Sequence, residues 1–189
     1  MNIAKKMLVA VTLLVASASY APVTAQEANP ETSAIVMIVD FEGIMREASA
    51  PQDIRKQVEE RRNGYQQEIE KRQQELREED QKIAQQRTLL SAEVLQQKRQ
   101  EFQQKVAEFQ KFAQARNKVL DESLNEARVA FQKKLIEIIA DVAEERSATL
   151  VLHKSQVILH ANAMDASKEV FDRVNAAMPT FTVQFKEAS

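Results

Sequence analysis

The 189-residue chain has no cysteine, no tryptophan, two glycines and four prolines. Lacking cysteine, it has neither a disulfide framework nor a thiolate nucleophile, so its stability must come from packing or from association with other chains. Eight phenylalanines and two tyrosines are its only aromatics, too few for a large self-contained core, which points to an elongated or oligomeric molecule. Between Pro51 and Pro179 there is no proline, and the only glycine is Gly64. Walker and Rossmann phosphate loops, which need clustered glycines, are thereby excluded. Only two histidines are present. His153 and His160 flank a predicted strand pair and meet no evident third ligand, so they read as edge residues rather than a metal site. The many carboxylates fall on helical stretches and read as a solvated face. No catalytic residue, cofactor or metal is expected, and the chain is read as a binding protein rather than an enzyme.

Long apolar runs are also scarce. The one near the N-terminus, Met7 to Ala18, follows Lys5 and Lys6 and precedes the small residues Val23 and Ala25. This layout is that of a secretory signal peptide cut between Ala25 and Gln26, and its apolar core is too short for a comfortable bilayer span. The mature chain is then expected in an exported compartment, with 24 basic against 28 acidic residues. The charge is unevenly spread: residues 82–118 hold eight basic and three acidic side chains, residues 26–50 one and five. A basic stretch within an acidic protein suggests weak attraction to acidic partners or to an anionic membrane surface. Nucleic acid is not expected, because the location argues against it and Phe102, Phe109 and Phe112 have helical rather than base-stacking spacing.

The paucity of glycine and proline over 51–146, in a segment rich in Gln, Glu, Lys, Arg, Ala and Leu, predicts long helix. Ile69, Leu76, Ile83 and Leu90 recur every seven residues, a stripe too narrow for an ordinary coiled-coil seam. Phe102, Val106, Phe109 and Ala113, then Phe131, Leu135, Ile138 and Val142, supply a broader stripe, with Leu120 and Leu124 marking a change of phase between them. The series ending at Leu90 and the one beginning at Leu95 are out of phase, so a straight helix would present them on different faces. Ser91 is suited to cap a new helix and Glu93 to its first turn. The reading is an antiparallel helical hairpin with its tip near 88–92, placing Ile69 opposite Phe112, Leu76 opposite Val106, and Val58 near Leu124. Leu89, Leu90, Val94 and Leu95 at the tip, with Phe102, Phe109 and Phe112 along the seam, are candidates for contact with an apolar partner.

Strand-like pieces flank the hairpin. "AIVMIVD" from Ala34 reads as a strand buried on both faces. "TLVLHKSQVILHA" from Thr149 reads as two strands around Lys154 and Ser155, and "TFTVQFK" from Thr180 as an alternating strand. "DASKEVFDRVNAAM" reads as a helix capped by Asp165 or Ser167, with Val170, Phe171, Val174 and Met178 inward. The organisation expected is therefore signal peptide 1–25, opening strand and turn 26–50, helical hairpin arm 51–146, and strand pair, helix and C-terminal strand 147–189. The fold class is α+β, a long hairpin arm projecting from a small β-rich body formed by both chain ends. So few short strands make a poor core alone. Sharing between chains would complete it through Ile35, Val36, Met37, Ile38, Val39, Leu150, Val151, Leu152, Val157, Ile158 and Leu159.

The order of these parts, with "IVMIVDFEGIMREASA", the Gln/Glu/Lys/Arg hairpin, "TLVLHKSQVILHAN" and "DASKEVFDRVN", resembles the Skp family of periplasmic chaperones, also called OmpH-like proteins. The resemblance implies a homotrimer whose arms surround a cavity and hold unfolded outer-membrane proteins in the periplasm, without ATP, before insertion. The chain departs from the family in its acidic balance and in the tail "PTFTVQFKEAS". The competing reading is a non-catalytic envelope scaffold or adaptor whose hairpin docks one fixed partner.

Overall fold

A computed structural model describes residues 34–186; the signal peptide and its cut between Ala25 and Gln26 lie outside the described residues. The chain begins with strand β1 (Val36–Val39), whose last three residues are buried. Asp40 then caps a two-turn helix, α1 (Phe41–Glu47), its Oδ1 accepting from the Gly43 amide at 2.9 Å. A Cβ at Gly43 would lie 2.4 Å from the Asp40 carboxylate, so glycine is what lets the cap sit close. The reading of 26–50 as strand and turn missed this helix.

Helix α2 (Ser49–Gln86) starts two residues before Pro51, with Ala48 as its cap residue. Ala48 has no side chain able to accept. Asn175 supplies the acceptor from the other end of the chain, its Oδ1 taking the Ser49 amide at 2.8 Å. The free amides of a helix start need such a partner. After a turn at 87–91, Ser91 caps α3 (Ala92–Glu145) by accepting from the Val94 amide, with Glu93 in the first turn. Contacts between α2 and α3 run in opposite order along the two helices. Lys105 meets Glu79 at 2.6 Å, Arg116 meets Glu68 at 3.5 Å, and the Arg72 guanidinium lies 3.8 Å from the centre of the Phe112 ring. In each pair the residue numbers add to 184.

Helix α3 ends on Ser147 in the left-handed conformation, φ 54°. The Ala148 amide donates to the Ala143 carbonyl and the Ser147 amide to that of Glu144, the double closure of a Schellman end. This reversal delivers strand β2 (Leu150–His153) alongside β1 in parallel, Val36 opposite Leu150 and Val39 opposite His153. The other edge of β1 is taken by Asp165, which bridges Ile38, and by the Ala166 amide on the Ile38 carbonyl.

Two expected strands do not form among the described residues. Residues 154–156 make a single 3-10 turn, and 157–161, the second half of the expected strand pair, joins no sheet. Both edges of β1 are occupied, and among the described residues the outer edge of β2 is left unpaired. The segment from Thr180 is extended but unpaired with the sheet, because its backbone bonds instead to side chains of α2. Between them α4 (Ser167–Ala177) buries Val170 and Val174 and half-buries Phe171 and Met178, as its pattern predicts. It follows Ala166, whose side chain makes no cap bond. Asp165 accepts from the Ser167 amide at 2.9 Å, while Ser167 Oγ accepts from the Asp40 amide at 2.8 Å.

The core sits where the two chain ends meet the roots of the long helices. Phe131, Leu135 and Val142 of α3 pack there with Ile54 and Val58 of α2, β1 and α4. The fold is thus mostly helical, with a small two-stranded sheet.

Candidate interaction surfaces

Packing thins along the α2–α3 pair. Beyond Tyr65 and Val119, Ile83 is the only buried residue of the outer half. Ile69, Leu76, Phe102, Val106, Phe109 and Phe112 line the seam half-buried. Arginines shield the innermost of the rings. Arg116 lies 4.7 Å from the Phe112 ring centre, and it stands 4.7 Å from the Tyr65 ring as well. A guanidinium over a ring face gains from the ring quadrupole while remaining movable, so this seam is apolar, positively edged and adaptable. Lys105 stays firmly charged, its pKa raised by the hydrogen bond to Glu79. These arginine partners were not read from the sequence. The usable signal was the step of four between Phe112 and Arg116.

At the turn, Leu89 is 83 % exposed and Val94 is exposed, while Leu90 and Leu95 are half-buried under it. Arg87, Lys98 and Arg99 stand around them. The outer end therefore presents apolar and basic groups together, and the nearby cavity lined by Asp80, Ile83, Arg87, Arg99 and Phe102 opens between the helices.

The eleven residues expected to form a shared body divide sharply. Met37, Ile38 and Val39 are buried within the single chain, and Val36, Leu152 and Val157 are half-buried. Ile35, Leu150, Val151, Ile158 and Leu159 are exposed, the last two almost fully, at 97 % and 88 %. Leu150 and Val151 belong to β2, whose outer edge is unpaired; Ile35 immediately precedes β1, and Ile158 and Leu159 follow the 3-10 turn after β2. Exposed apolar side chains and an unpaired strand edge are each an invitation to association.

The two histidines do not meet. His153 stacks on Phe41 and its Nδ1 lies 3.0 Å from Glu42, whereas His160 faces the carbonyl of Ala161. Glu42 is held below the usual carboxylate range, first by its own backbone amide at the start of α1 and then by His153. Among the described residues no three His, Asp or Glu side chains are grouped so as to hold a metal, and no helix is long and apolar enough to cross a membrane. Charged side chains serve the joint between α3 and α4 instead. Arg173 reaches Glu145 and Glu169, Arg146 reaches Glu169 at 2.7 Å, and Lys154 reaches Asp165 at 2.7 Å.

A family model described as outer membrane protein (OmpH-like) matches residues 35–174, and the chain belongs to that family. The match begins one residue before β1 and ends inside α4, so it spans the sheet and both long helices. A solved structure of a candidate outer membrane chaperone (OmpH-like) from Caulobacter crescentus CB15 has the same fold, with a TM-score of 0.76 at 18 % identity. The alignment covers 82 % of this chain and 92 % of that one. No curated protein matches the sequence.

Proposed function

We propose that this protein is an ATP-independent holdase of the periplasm, a trimer whose α2–α3 pairs are hairpin arms that bind unfolded outer-membrane proteins and keep them from aggregating before insertion. The observation that carries the reading is the thin, half-buried phenylalanine seam edged by arginines, on helices with a single fully buried residue in their outer half. Family membership supports it. Unfolded β-barrel chains are apolar at alternate residues and carry unpaired strand edges. Many weak, movable contacts suit such clients better than one tight pocket, because each releases easily while together they retain the chain. Phe102, Phe109 and Phe112, with Leu89, Leu90, Val94 and Leu95 at the tip, are the residues assigned to client contact. Basic tips would add weak, salt-screened attraction to acidic clients or to an anionic membrane surface.

Association is supported by the exposed Ile35, Leu150, Val151, Ile158 and Leu159 and by the unpaired outer edge of β2. A neighbouring chain would give residues 157–161 the strand partner they lack, and would finish the body that the buried Met37, Ile38 and Val39 begin. The test is aggregation of an unfolded outer-membrane protein in nucleotide-free buffer, with sedimentation of the mature chain alongside. Protection near one trimer per client is expected. No protection at excess chaperone rules the function out, and a stable monomer rules out the shared body.

A further inference from the structure

The segment after α4 is seated on the root of the long helices in a way that reads as recognition. From residue 181 to 186 its side chains alternate strictly: Phe181 and Phe185 are half-buried and Val183 is 6 % exposed, while Thr182, Gln184 and Lys186 face solvent. The Gln57 side-chain amide grips the extended backbone at two points, donating to the Phe181 carbonyl and accepting from the Val183 amide at 3.0 Å. One turn earlier, Asp53 accepts the Phe181 amide at 2.9 Å. One turn later, the Arg61 guanidinium lies 4.7 Å from the Phe185 ring centre. Lys186 finally reaches Glu126 of α3 at 2.8 Å.

The spacing is what makes this a track. Four helical residues advance about 6.0 Å, and two extended residues advance about 6.6 Å. Asp53, Gln57 and Arg61 therefore stay in step with residues 181, 183 and 185. The two acceptors and the donor act on main-chain groups, which every polypeptide carries, so main-chain bonds supply affinity without regard to sequence while the buried positions ask only for alternating apolar side chains. A cavity of about 440 Å³ beside Val183 and Phe185, bounded by Arg61 and the exposed Gly64, leaves room for larger side chains there.

The geometry points to a groove on α2, built around Asp53, Gln57 and Arg61, that binds extended chain segments with apolar residues at alternate positions; the protein's own tail is its resident occupant, and a strand of an unfolded β-barrel protein displaces it. The identity of the displacing partner rests on the holdase reading, whereas the groove and its preference rest on the seated tail alone. Because the tail is tethered, it competes at a high effective concentration. A client strand enters only when it brings further contacts of its own, along the seam or at the tip, so single short peptides are refused while long unfolded chains are admitted.

The experiment measures fluorescence anisotropy of a labelled peptide carrying TFTVQF, against one of the same composition reordered to FFVTTQ. In the full mature chain, Val183→Asp drives the tail off by placing a carboxylate in its apolar seat. That variant is expected to bind the alternating peptide at least tenfold more tightly than the unchanged chain, to ignore the reordered one, and to lose the gain when Gln57→Ala is added. Equal binding by the variant and the unchanged chain, with helical circular dichroism intact, overturns the proposal, as does equal binding of both peptides. Should Val183→Asp unfold the root, a short bis-maleimide bridge between Glu126→Cys and Lys186→Cys locks the tail down in an otherwise cysteine-free chain. The bridged protein is expected to hold an unfolded barrel protein several-fold less well than the same protein unbridged. Equal protection by the two forms overturns the groove and leaves the chaperone reading standing. Absence of protection in every form removes the chaperone reading, and anisotropy of the alternating peptide on Val183→Ser, which loosens the tail more gently, against the bridged protein then decides the groove by itself, equal binding overturning it.

Discussion

Truncating two phenylalanines on α3, Phe131 at the root and Phe102 near the outer end, separates the stability of the root from that of the outer helices. Phe131 is 1 % exposed, against Ile54 and the other side chains of the core. Removing a phenyl ring so enclosed costs about 3–5 kcal/mol, the lost transfer energy plus the cavity left behind. Phe102 is only half-buried on the seam, so Phe102→Ala forfeits a smaller burial, about 1–2 kcal/mol at roughly 25 cal/mol per Å², and its surroundings can collapse into the gap. The two losses also fall in different cooperative units. The outer half has Ile83 as its only buried residue, so it opens below the global unfolding free energy, as regions of low contact density do. The assay pairs urea unfolding, at one fixed protein concentration because association shifts apparent stability, with amide hydrogen exchange resolved by peptide. Phe131→Ala should lower the urea midpoint and raise exchange throughout. Phe102→Ala should raise exchange across residues 69–115 while leaving the midpoint and the peptides of 125–145 nearly unchanged. If Phe102→Ala lowers the midpoint as far as Phe131→Ala does, the helices unfold as one unit and the adaptable seam has no physical basis.

Ser147→Gly should stabilise the fold by roughly 1 kcal/mol, since a β-carbon at positive φ is strained and glycine is favoured at a Schellman end; a lower urea midpoint would contradict this. Gly43→Ala pushes the Asp40 carboxylate off the α1 amides and should cost about 1 kcal/mol, the value of a helix cap. Asp40→Ala should cost a similar amount and the double variant little more, whereas full additivity in that cycle would show the two acting separately. Burial pushes the Asp165 carboxyl up, but the bonds from Lys154 and Ser167 outweigh it and hold the pKa at about 2, below its ordinary 3.8. A depressed carboxyl contributes stability above its unfolded pKa and loses it as pH falls through the folded one. Urea midpoints should therefore drop between about pH 4 and pH 2 more steeply in the unchanged chain than in Asp165→Asn, and identical slopes would refute the assignment.

How much of this was legible depends on whether an element's partner lies within reach of its own pattern. The long helices were legible because composition, the dearth of glycine and proline, and the Ser91 cap all act locally. The buried strand and α4 were legible for the same reason, one as a continuous apolar run and the other as a 3.6-residue stripe. Helix α1 was missed because its seven residues are too few to establish a period, and its decisive signal is the fit of Gly43 against Asp40. The Asn175 cap of α2 was equally invisible, since acceptor and amide are 126 residues apart. Asp53 and Gln57 looked like part of a solvated face, and only the arrival of the tail makes them a recognition pair.

Alternation of apolar and polar residues says that one face of an extended segment will be covered, not by what. Residues 180–186 alternate in this way, whereas Val157 to Leu159 form a continuous apolar run, and the two segments meet opposite fates. Around Phe181 to Phe185 the covering surface is a helix, and the main-chain groups that a neighbouring strand would have satisfied are taken by Gln57 and Asp53. Residues 157–161 join no sheet among the described residues: β1 has one edge on β2 and the other on Asp165 and Ala166, the outer edge of β2 stays unpaired, and Ile158 and Leu159 stand in solvent. Two nearly bare branched aliphatic side chains cost too little to unfold one chain, and their burial would favour the shared body proposed above. A strand-like signal therefore marks an intramolecular strap in one place and, in the other, an apolar surface that the proposed shared body would cover.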